Sequence, residues 1–491
     1  MNILVIDIGT SSMRGILFDS MGEKLSAHQI FYQTVPYSDG RVEQDPADWT
    51  RSLEKICSAV SKEAIEKRMP IQAVAVTSQR SSILPIDREG KPLTHTIMWQ
   101  DRRNAEICQE LESCSDLIFQ KSGAAVNTVF SGSRMTWIRR NLPEVYKNVY
   151  KFVNIPEYVM HHMTGTYKTD VTYGSRSHLM NLRERRWDEQ MLELFQVQEE
   201  HLCTLEEPGS IMGWVTRTFA AVTGLPEGIP VISSGGDQQC AAIGQGAFRE
   251  GTLSLVLGTG GFLVTAVNEV PENLSKRLIC NCSSVRGRYM VEGNVLTCCS
   301  AFDWLCRNFY GMREERKPDY EEVSRELMEL DGVVSPVMVL PYFQGRSTPE
   351  WNPKVRAVFG RISLASGRKE IGKGLLEGIF MEIQNNIRLF SDYAGIHRIY
   401  ISGGMTKNAM LNQLQADVYG IPLYRMEDSE ATALGALITA LTGQKVYGSF
   451  EEAFEKLRGR ERMVCYEPRS NLHEQYERKR LEMNQMYQKI C

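Results

Sequence analysis

Residues 1–19, MNILVIDIGTSSMRGILFD, contain the pattern that decides the fold of this chain. The apolar run Asn2–Ile6 is rich in β-branched residues and predicts a buried strand, and Arg14–Phe18 predicts a second one. The polar stretch Asp7–Ser12 between them predicts a tight turn that joins antiparallel partners. Because small and hydroxylated residues let backbone N–H groups approach an anion, we expect this turn to bind phosphate.

Three later stretches also place a polar turn directly after a buried strand. They are Ile71–Val76 before Thr77–Arg80, Gly251–Leu257 before Gly258–Gly261, and Ile396–Ile401 before Ser402–Gly404. Helical stretches separate these strands, which favours α/β layers. The repeated layout indicates two similarly built lobes with a cleft between them, and we expect the domains to be residues 1–245 and 246–491.

Length, charge and cysteine usage narrow the possible functions. The chain has 491 residues, and 60 Asp+Glu against 56 Lys+Arg give a net charge of −4. This balance argues against a nucleic-acid partner or a polybasic membrane anchor, and no apolar run reaches the roughly 18 residues that span a bilayer. Twelve scattered cysteines without a C-x-x-C pair, and a start without signal-peptide features, predict a cytoplasmic protein.

Neither glycine-rich turn matches a standard nucleotide-binding loop. The chain contains no GxxxxGK[ST] pattern, and Gly258-Thr259-Gly260 lacks the third glycine of a dinucleotide fingerprint. A plain hairpin explains either turn equally well when it is taken singly. Asp7, directly before the first turn, adds a hard oxygen ligand suited to Mg²⁺ with its waters.

Asp237 is the candidate carboxylate for chemistry. It lies in Ser234–Gln239 (SGGDQQ), after the apolar strand Ile229–Ile232, where the end of a strand would present it to a cleft. Asp is also a favoured helix N-cap, and residues 238–246 could form the helix that it starts. The two interpretations are compatible.

Taken in order, these segments resemble the motifs of the FGGY family of carbohydrate kinases. Asp7–Arg14 resembles the first phosphate motif, Gly258–Gly260 the second, Gly236–Gln239 the catalytic-aspartate segment, Ser402–Asn408 the adenosine motif with Glu430–Ala436 as the helix behind it, and Pro341–Trp351 the PxxxGxxxPxW stretch. The resemblance covers nearly the whole chain. Five ordered motifs are far more specific than any single one.

The resemblance implies an α/β fold of two actin/hexokinase-like (ribonuclease H-like) lobes. Each lobe would be a mixed five-stranded sheet flanked by helices, with the active site in the interlobe cleft. The implied reaction is direct in-line transfer of the γ-phosphate of ATP, with Mg²⁺, to a hydroxyl of a polyol or ketose. Because phosphoryl transfer demands positioning and charge neutralisation more than a strong base, a carboxylate of ordinary pKa can serve as the base.

The resemblance also implies the roles of individual residues. Asp237 would be the catalytic base, and Asp7 would hold Mg²⁺ through water. The ATP-binding residues would be Thr10, Ser11, Ser12, Arg14, Thr259, Gly260, Gly404, Met405 and Asn408. The substrate-binding residues would be Arg80, Ser81, Trp99, Val129, Asp237, Gln238 and Phe262.

Within the family, the chain is most similar to glycerol kinases, but it departs from them at two positions. Glycerol kinases carry Glu after the Gln-Arg pair and Tyr before Phe-Ser-Gly, whereas this chain carries Ser81 and Val129. Both changes would enlarge the pocket and remove hydrogen-bond partners of the polyol. Since sites built to bond substrate hydroxyls discriminate strongly, we expect a four- or five-carbon polyol or ketose.

Several alternatives stay open at this point. The first is a glycerol kinase proper. An actin-like nucleotide switch would need the phosphate turns but no carboxylate aimed at a sugar, so Gly236–Gln238 and the Gln79-Arg80/Trp99 set favour the kinase. A non-catalytic sugar-binding regulator is disfavoured because the catalytic-motif residues are intact. The sequence leaves the quaternary structure open, with a homodimer as one option.

Overall fold

The structure is a computed structural model that describes residues 1–310, 320–348, 350–426, 430–459 and 462–491. The chain forms two compact units, and both are discontinuous in sequence. Unit 1 comprises Met1–Gly244, Asn268–Met290 and Glu430–Arg460, and unit 2 comprises Gln245–Val267, Val291–Ser429 and Glu461–Cys491. The domain bounds expected from the sequence, 1–245 and 246–491, stay a prediction.

The main sheet of unit 1 is mixed. Its strands are β1 (Asn2–Ile8), β2 (Ser12–Asp19), β3 (Lys24–Phe31), β6 (Ala73–Ser78), β14 (Ile211–Trp214) and β15 (Pro230–Gly236). They run in the order β14-β15-β6-β1-β2-β3, in which β1, β6 and β15 are parallel and the other three are antiparallel to their neighbours. The sheet therefore has one strand more than the expected five.

Register brings the carboxyl ends of the three parallel strands to the same edge of this sheet. Asp7 of β1 lies opposite Thr77 of β6, and Thr77 lies opposite Gly235 of β15. Thr77 Oγ1 also donates a hydrogen bond to the Gly235 carbonyl oxygen at 2.8 Å. Since ligands of open α/β sheets bind outside such strand ends, this edge is where a site is expected.

Smaller strands complete unit 1. A five-stranded sheet has the order β4-β5-β8-β7-β9, with β4 (Val35–Pro36), β5 (Val42–Gln44), β7 (Ile83–Ile86), β8 (Thr96–Ile97) and β9 (Lys151–Asn154). Two short pairs join β10 (Lys168–Asp170) to β13 (Thr204–Glu206) and β11 (Met180–Asn181) to β12 (Arg186–Trp187). The strand β18 spans Ile279–Cys282.

Helices cover the sheets of unit 1. They are α1 (Ala47–Glu66), α2 (Ala105–Glu110), α3 (Ser115–Ser122), α4 (Ser131–Asn141), α5 (Pro143–Tyr146), α6 (Ile155–Thr164), α7 (Val171–Gly174), α8 (Glu189–Phe195), α9 (Arg217–Thr223), α10 (Asp237–Gln245), α15 (Ala431–Gly443) and α16 (Phe450–Arg458), with 3₁₀ helices at Leu111–Cys114 and Glu199–His201. On α1, Trp49, Leu53, Ile56 and Val60 recur at helical spacing and are buried. This apolar stripe packs into the same core as strand β1, so burial of one face holds the helix on the sheet.

Unit 2 repeats the combination of a mixed sheet and helices. Its strands are β16 (Thr252–Leu257), β17 (Gly261–Val267), β19 (Tyr289–Val295), β20 (Met338–Leu340), β21 (Val358–Gly360), β22 (Arg398–Ser402), β23 (Leu423–Met426) and β24 (Met463–Tyr466). Six of them follow one another in the order β19-β17-β16-β22-β23-β24. Its helices are α11 (Cys299–Phe309), α12 (Tyr320–Met328), α13 (Arg368–Ala394), α14 (Ala409–Tyr419) and α17 (Ser470–Ile490), with a 3₁₀ helix at Gly404–Lys407.

The remaining global features concern membranes, thiols and metals. Among the described residues, no helix is both long and apolar enough to cross a membrane. All twelve cysteines are described, and all are free thiols. The described part of the chain brings no three His, Cys, Asp or Glu side chains together in a way that could hold a metal ion.

Two neighbouring glycines follow β22, and they differ in how much space a side chain would have. Gly403 has a φ of +103°, and a Cβ there would lie 2.2 Å from the Leu257 carbonyl oxygen, whereas a Cβ on Gly404 would meet no atom within 4 Å. Left-handed strain and a backbone clash add up, so we expect Gly403→Ala to lower the free energy of unfolding by about 3 kcal/mol. Gly404→Ala, the matched control, should change it by less than about 1 kcal/mol. Equilibrium urea unfolding measures both, and an equal loss in the two variants would contradict the expectation.

Candidate active site

The turn after β1 is tight, as the sequence predicts. The Gly9 N–H donates to the Ser12 carbonyl oxygen at 2.9 Å, and Asp7 pairs with Arg14 in an antiparallel register. The Gly9 carbonyl oxygen accepts from the Tyr32 hydroxyl at 2.8 Å and from the Gln79 side-chain amide at 3.3 Å. These two hydrogen bonds restrain the Gly9 peptide at the centre of the turn, so they restrict the backbone conformation of the whole turn.

The hydroxylated residues of this turn contact neighbouring elements of unit 1. Thr10 Oγ1 accepts a hydrogen bond from Trp99 Nε1 at 3.2 Å, which links a proposed phosphate residue to a proposed acceptor residue. Ser11 is exposed. Ser12 Oγ accepts from Gln29 Nε2 at 2.9 Å. The structure therefore brings Thr10 and Trp99 together, although 89 residues separate them.

Arg14, which follows the turn, forms ion pairs with two carboxylates. Arg14 donates to the Asp7 carboxylate at 2.5 Å and to the Glu430 carboxylate at 2.9 Å. Burial raises the pKa of Asp7, and the charge of Arg14 acts in the opposite direction. Burial acts to lower the pKa of Arg14, but Asp7 and Glu430 outweigh it and raise the value. The Arg14 guanidinium therefore stays positively charged, and it compensates the negative charge of the buried Asp7 carboxylate.

Asp237 is the first residue of α10, directly after β15. Its side chain is 28% exposed, and its Oδ1 lies 3.7 Å from Arg80 Nε. The same oxygen accepts a hydrogen bond from the Gln238 N–H at 2.8 Å. Asp237 is therefore both the start of a helix and a partly exposed carboxylate at the edge where the parallel strands end, and its catalytic role stays a prediction.

Hydrogen bonds fix the backbone that carries Asp237. The Gly236 N–H donates to Thr172 Oγ1 at 3.0 Å, and the Gly235 carbonyl oxygen accepts from the Tyr173 hydroxyl at 2.8 Å as well as from Thr77. Each of these groups is buried, where an unmade hydrogen bond would be costly. The position of the Asp237 backbone is thus determined by three side chains from two other elements.

Asp170 is fully buried and accepts a hydrogen bond from Thr172, one of the side chains that support this backbone. One carboxylate oxygen accepts from the Thr172 hydroxyl at 2.5 Å, and the other accepts from the Ser233 hydroxyl. Burial raises the pKa of Asp170, and the hydrogen bonds from Ser233 and Thr172 oppose that shift. Sequence reasoning missed Asp170 and Thr172. No local pattern marks them, since Ser233 lies 63 residues from Asp170.

The two positions that depart from glycerol kinases lie in well-defined backbone. Ser81 is buried at 1% exposure, has a φ of +73°, and its Oγ has no hydrogen-bond partner among the described residues. Val129 is half-buried and precedes Phe130, whose ring stacks on His178 with centroids 3.9 Å apart. Ser81 is therefore enclosed by neighbouring residues, and Val129 is adjacent to a stacked pair of rings.

The second glycine-rich turn joins β16 to β17 in unit 2, as the strand–turn–strand pattern predicts. The Gly258 N–H donates to the Gly260 carbonyl oxygen at 2.9 Å. The carbonyl oxygen of exposed Thr259 accepts from the Cys298 N–H at 2.8 Å and from Ser300 Oγ at 3.0 Å. Phe262, the remaining acceptor candidate, lies on β17 in unit 2 and is 42% exposed.

The adenosine-type motif also lies in unit 2, after β22. Gly404 begins the 3₁₀ helix and is exposed, whereas Met405 is buried. Asn408 caps α14, because its Oδ1 accepts from the N–H groups of Met410 at 3.0 Å and Leu411 at 3.2 Å. In the Pro341–Trp351 stretch, Pro349 lies outside the described residues.

Two family models match these two sets of motifs. The N-terminal domain of the FGGY family of carbohydrate kinases matches residues 2–244, and the C-terminal domain matches residues 253–443. The chain belongs to the FGGY family of carbohydrate kinases. This FGGY kinase is thus a phosphotransferase that phosphorylates a sugar or polyol, and its mixed α/β fold is that of the family. The predicted family, fold class and enzyme class are confirmed.

Proteins similar to this FGGY kinase in sequence or in fold are named for glycerol and for xylulose. A glycerol kinase from Thermococcus onnurineus is 30% identical over 458 residues, which cover 92% of this chain and 90% of the relative. The structure of Plasmodium falciparum glycerol kinase with ADP has a TM-score of 0.90 and 26% identity, with 99% of this chain and 98% of that one covered. A xylulose kinase from Rhodospirillum rubrum has a TM-score of 0.93 at 21% identity, covering 100% and 99%, which shows the shared fold.

His178 should make the stability of this FGGY kinase sensitive to acid. Burial, with a smaller effect of the Arg176 charge, lowers the pKa of His178 to about 3. Below pH ~6.5, His178 is protonated in the unfolded chain but stays neutral in the folded one. The folded state therefore loses stability as the pH falls from ~6.5 to ~3. We expect the wild type to lose about 1 kcal/mol more than His178→Asn between pH ~7 and ~5.5, measured by urea unfolding. Asn tolerates the positive φ of this position. Parallel pH profiles for the two proteins would count against the assignment.

Proposed function

We propose that this FGGY kinase transfers the γ-phosphate of ATP to a hydroxyl of a four- or five-carbon polyol or ketose, directly and in line, with Asp237 as the base. The observation that carries the proposal is the position of Asp237, partly exposed at the end of β15 with Arg80 beside it. The phosphate turn after β1 emerges at the same edge of the sheet. Acceptor activation and phosphate binding are therefore assigned to two strand ends at the same edge of the sheet, with β6 between them.

Asp237 accepts the proton of the acceptor hydroxyl late in this proposed reaction. The proton leaves as the new P–O bond forms, so a carboxylate of ordinary basicity suffices. Arg80 lies beside Oδ1 and the Gln238 N–H donates to the same oxygen, so both groups orient the carboxylate. Gln238 and Trp99 supply further contacts for hydroxyls and for the carbon skeleton.

The residues assigned to the nucleotide are those of the two phosphate motifs and of the adenosine motif. In unit 1 these are Thr10, Ser11, Ser12 and Arg14, and in unit 2 they are Thr259, Gly260, Gly404, Met405 and Asn408. Mg²⁺ neutralises charge on the phosphates when it is bound. Asp7 fits a role in holding it, because Mg²⁺ keeps several waters and needs only one or two carboxylates from a protein. A cytoplasmic location stays a prediction, and so does homodimer formation as one option.

The acceptor class follows from Ser81 and Val129. A short hydroxyl and an apolar side chain replace the carboxylate and phenol of glycerol kinases, so glycerol would find fewer partners and more empty space. A longer acceptor reaches Arg80, Gln238 and Asp237 while its extra carbons pack beside Val129 and Trp99. The main alternative is a glycerol kinase proper, which is favoured by the names of relatives at about 30% identity.

Asparagine at position 237 tests the base. It keeps the shape of the side chain but removes the proton acceptor, so we expect Asp237→Asn to lower kcat by about 10²–10⁴-fold. The dissociation constant of ATP, measured by calorimetry, should stay within about twofold, because the nucleotide is assigned to other residues. Asp116→Asn, at a side chain that is 80% exposed, is the control and should keep full activity. Near-normal turnover of the Asp237 variant would refute the assignment.

Substrate preference tests the acceptor pocket. A coupled ADP-release screen over polyols, ketoses and sugar acids should give a kcat/KM for the best four- or five-carbon acceptor at least about tenfold above that for glycerol. The double variant Ser81→Glu/Val129→Tyr should narrow or reverse this ratio, since it restores the glycerol-kinase pair. A wild-type preference for glycerol over every longer acceptor would support the alternative.

A further inference from the structure

One buried arginine, Arg134 of α4, joins the backbone segments that carry the acceptor residues. Its side chain is fully buried. Nη1 donates to the carbonyl oxygens of Ser81 at 3.0 Å and Val129 at 2.9 Å, and Nη2 donates to those of Thr128 at 2.6 Å, Trp99 at 2.7 Å and Asp101 at 3.3 Å. The guanidinium therefore bonds five carbonyl oxygens.

These carbonyl groups come from three separate segments of unit 1. Ser81 follows β6, Trp99 follows β8, and Val129 precedes α4. Ser81 lies 53 residues and Trp99 lies 35 residues from the arginine. Each segment carries one residue that we assign to the acceptor. The planar fork of a guanidinium can satisfy several acceptors at fixed angles, which the three rotatable donors of a lysine cannot do in the same way.

The charge of Arg134 is retained in this buried position. Burial lowers the pKa of Arg134 to about 10, and the Asp101 charge acts in the opposite direction. A pKa in that range leaves the group protonated at neutral pH. Hydrogen bonds to a charged donor are the stronger kind, so the three segments are held more rigidly than neutral contacts would hold them.

Ser81 is the segment where this restraint matters most. Its φ of +73° is costly for a residue with a Cβ. Its buried Oγ has no hydrogen-bond partner among the described residues, which adds an uncompensated loss of hydration. Such features persist only where the surroundings over-determine them, and they cluster at ligand sites. The hydrogen bond from Arg134 to the Ser81 carbonyl oxygen is one such restraint.

We propose that Arg134 is a positioning residue that sets the acceptor specificity of this kinase. By fixing the Ser81, Trp99 and Val129 segments relative to one another, it sets the width of the acceptor pocket and leaves the unpaired Ser81 hydroxyl for a hydroxyl of the acceptor. The inference rests on the proposed function, because it takes these three residues as acceptor contacts. Arg134 itself touches neither the acceptor nor the nucleotide in this proposal.

Arg134→Lys tests the proposal, because lysine keeps the positive charge but lacks the planar guanidinium that bonds several carbonyl oxygens at fixed angles. Small displacements of positioning groups are expensive, so kcat/KM for the best acceptor should fall at least about tenfold, mainly through KM. The preference for that acceptor over glycerol should shrink, while the KM for ATP stays within about twofold. Arg458→Lys, at an arginine of α16 that is 2% exposed, is the matched control for a buried Arg-to-Lys change and should leave both constants within about twofold.

A second variant, Ser81→Gly, covers the case in which Arg134→Lys does not fold. Glycine accepts the positive φ without strain, so this variant should be at least as stable as the wild type and still lose about tenfold in kcat/KM for the acceptor. The proposal is overturned if Arg134→Lys folds and changes the acceptor and ATP constants equally or leaves the acceptor preference unchanged. It is also overturned if Ser81→Gly keeps full acceptor efficiency. A wild type that prefers glycerol would refute only the proposed substrate class, since the same comparison made with glycerol still tests Arg134.

Discussion

The candidate site of unit 1 depends on the parallel register of β1, β6 and β15. Asp7, Thr77 and Gly235 lie opposite one another, and the hydrogen bond from Thr77 to the Gly235 carbonyl oxygen joins the last two strands where they end. Three chain segments therefore leave the sheet side by side. A slip of one residue would reverse the direction of every side chain on a strand, so the turn after β1 and the Asp237 carboxylate would no longer emerge together.

Buried polar groups hold these emerging segments in place. Asp170 and Thr172 support the backbone before Asp237, and Arg134 connects the backbone of the segments that we assign to the acceptor. Inside a protein such hydrogen bonds are strong when they are complete and costly when one partner is missing. Networks of this kind contribute less to net stability than to a single defined geometry, which is what a phosphoryl-transfer site needs.

The family fold and the choice of acceptor are set at different levels. Kinases named for glycerol and for xylulose share this fold with TM-scores of 0.90 and 0.93. Kinases named for different substrates thus share one scaffold, so the fold does not set the acceptor, and we assign that choice to a few side chains such as those at positions 81 and 129. Ser81 is notable because its backbone is strained and its hydroxyl is unpaired, so the chain retains a costly arrangement at the place where the acceptor is expected.

The sequence by itself determined the features that depend on neighbours along the chain. The strand–turn–strand pattern of residues 1–19, the turn at Gly258–Gly260 and the start of a helix at Asp237 were all predicted, because strand periodicity, turn residues and helix caps act over a few positions. Their order along the chain was enough to identify the family. Only the tertiary structure showed that Arg134 reaches the Ser81 carbonyl oxygen and that Asp170 reaches Ser233, across 53 and 63 residues. Only the tertiary structure likewise showed the sixth strand of the main sheet of unit 1 and the positive φ of Ser81. These features follow from how distant segments pack together and satisfy their buried polar groups, and no local pattern of residues encodes that outcome.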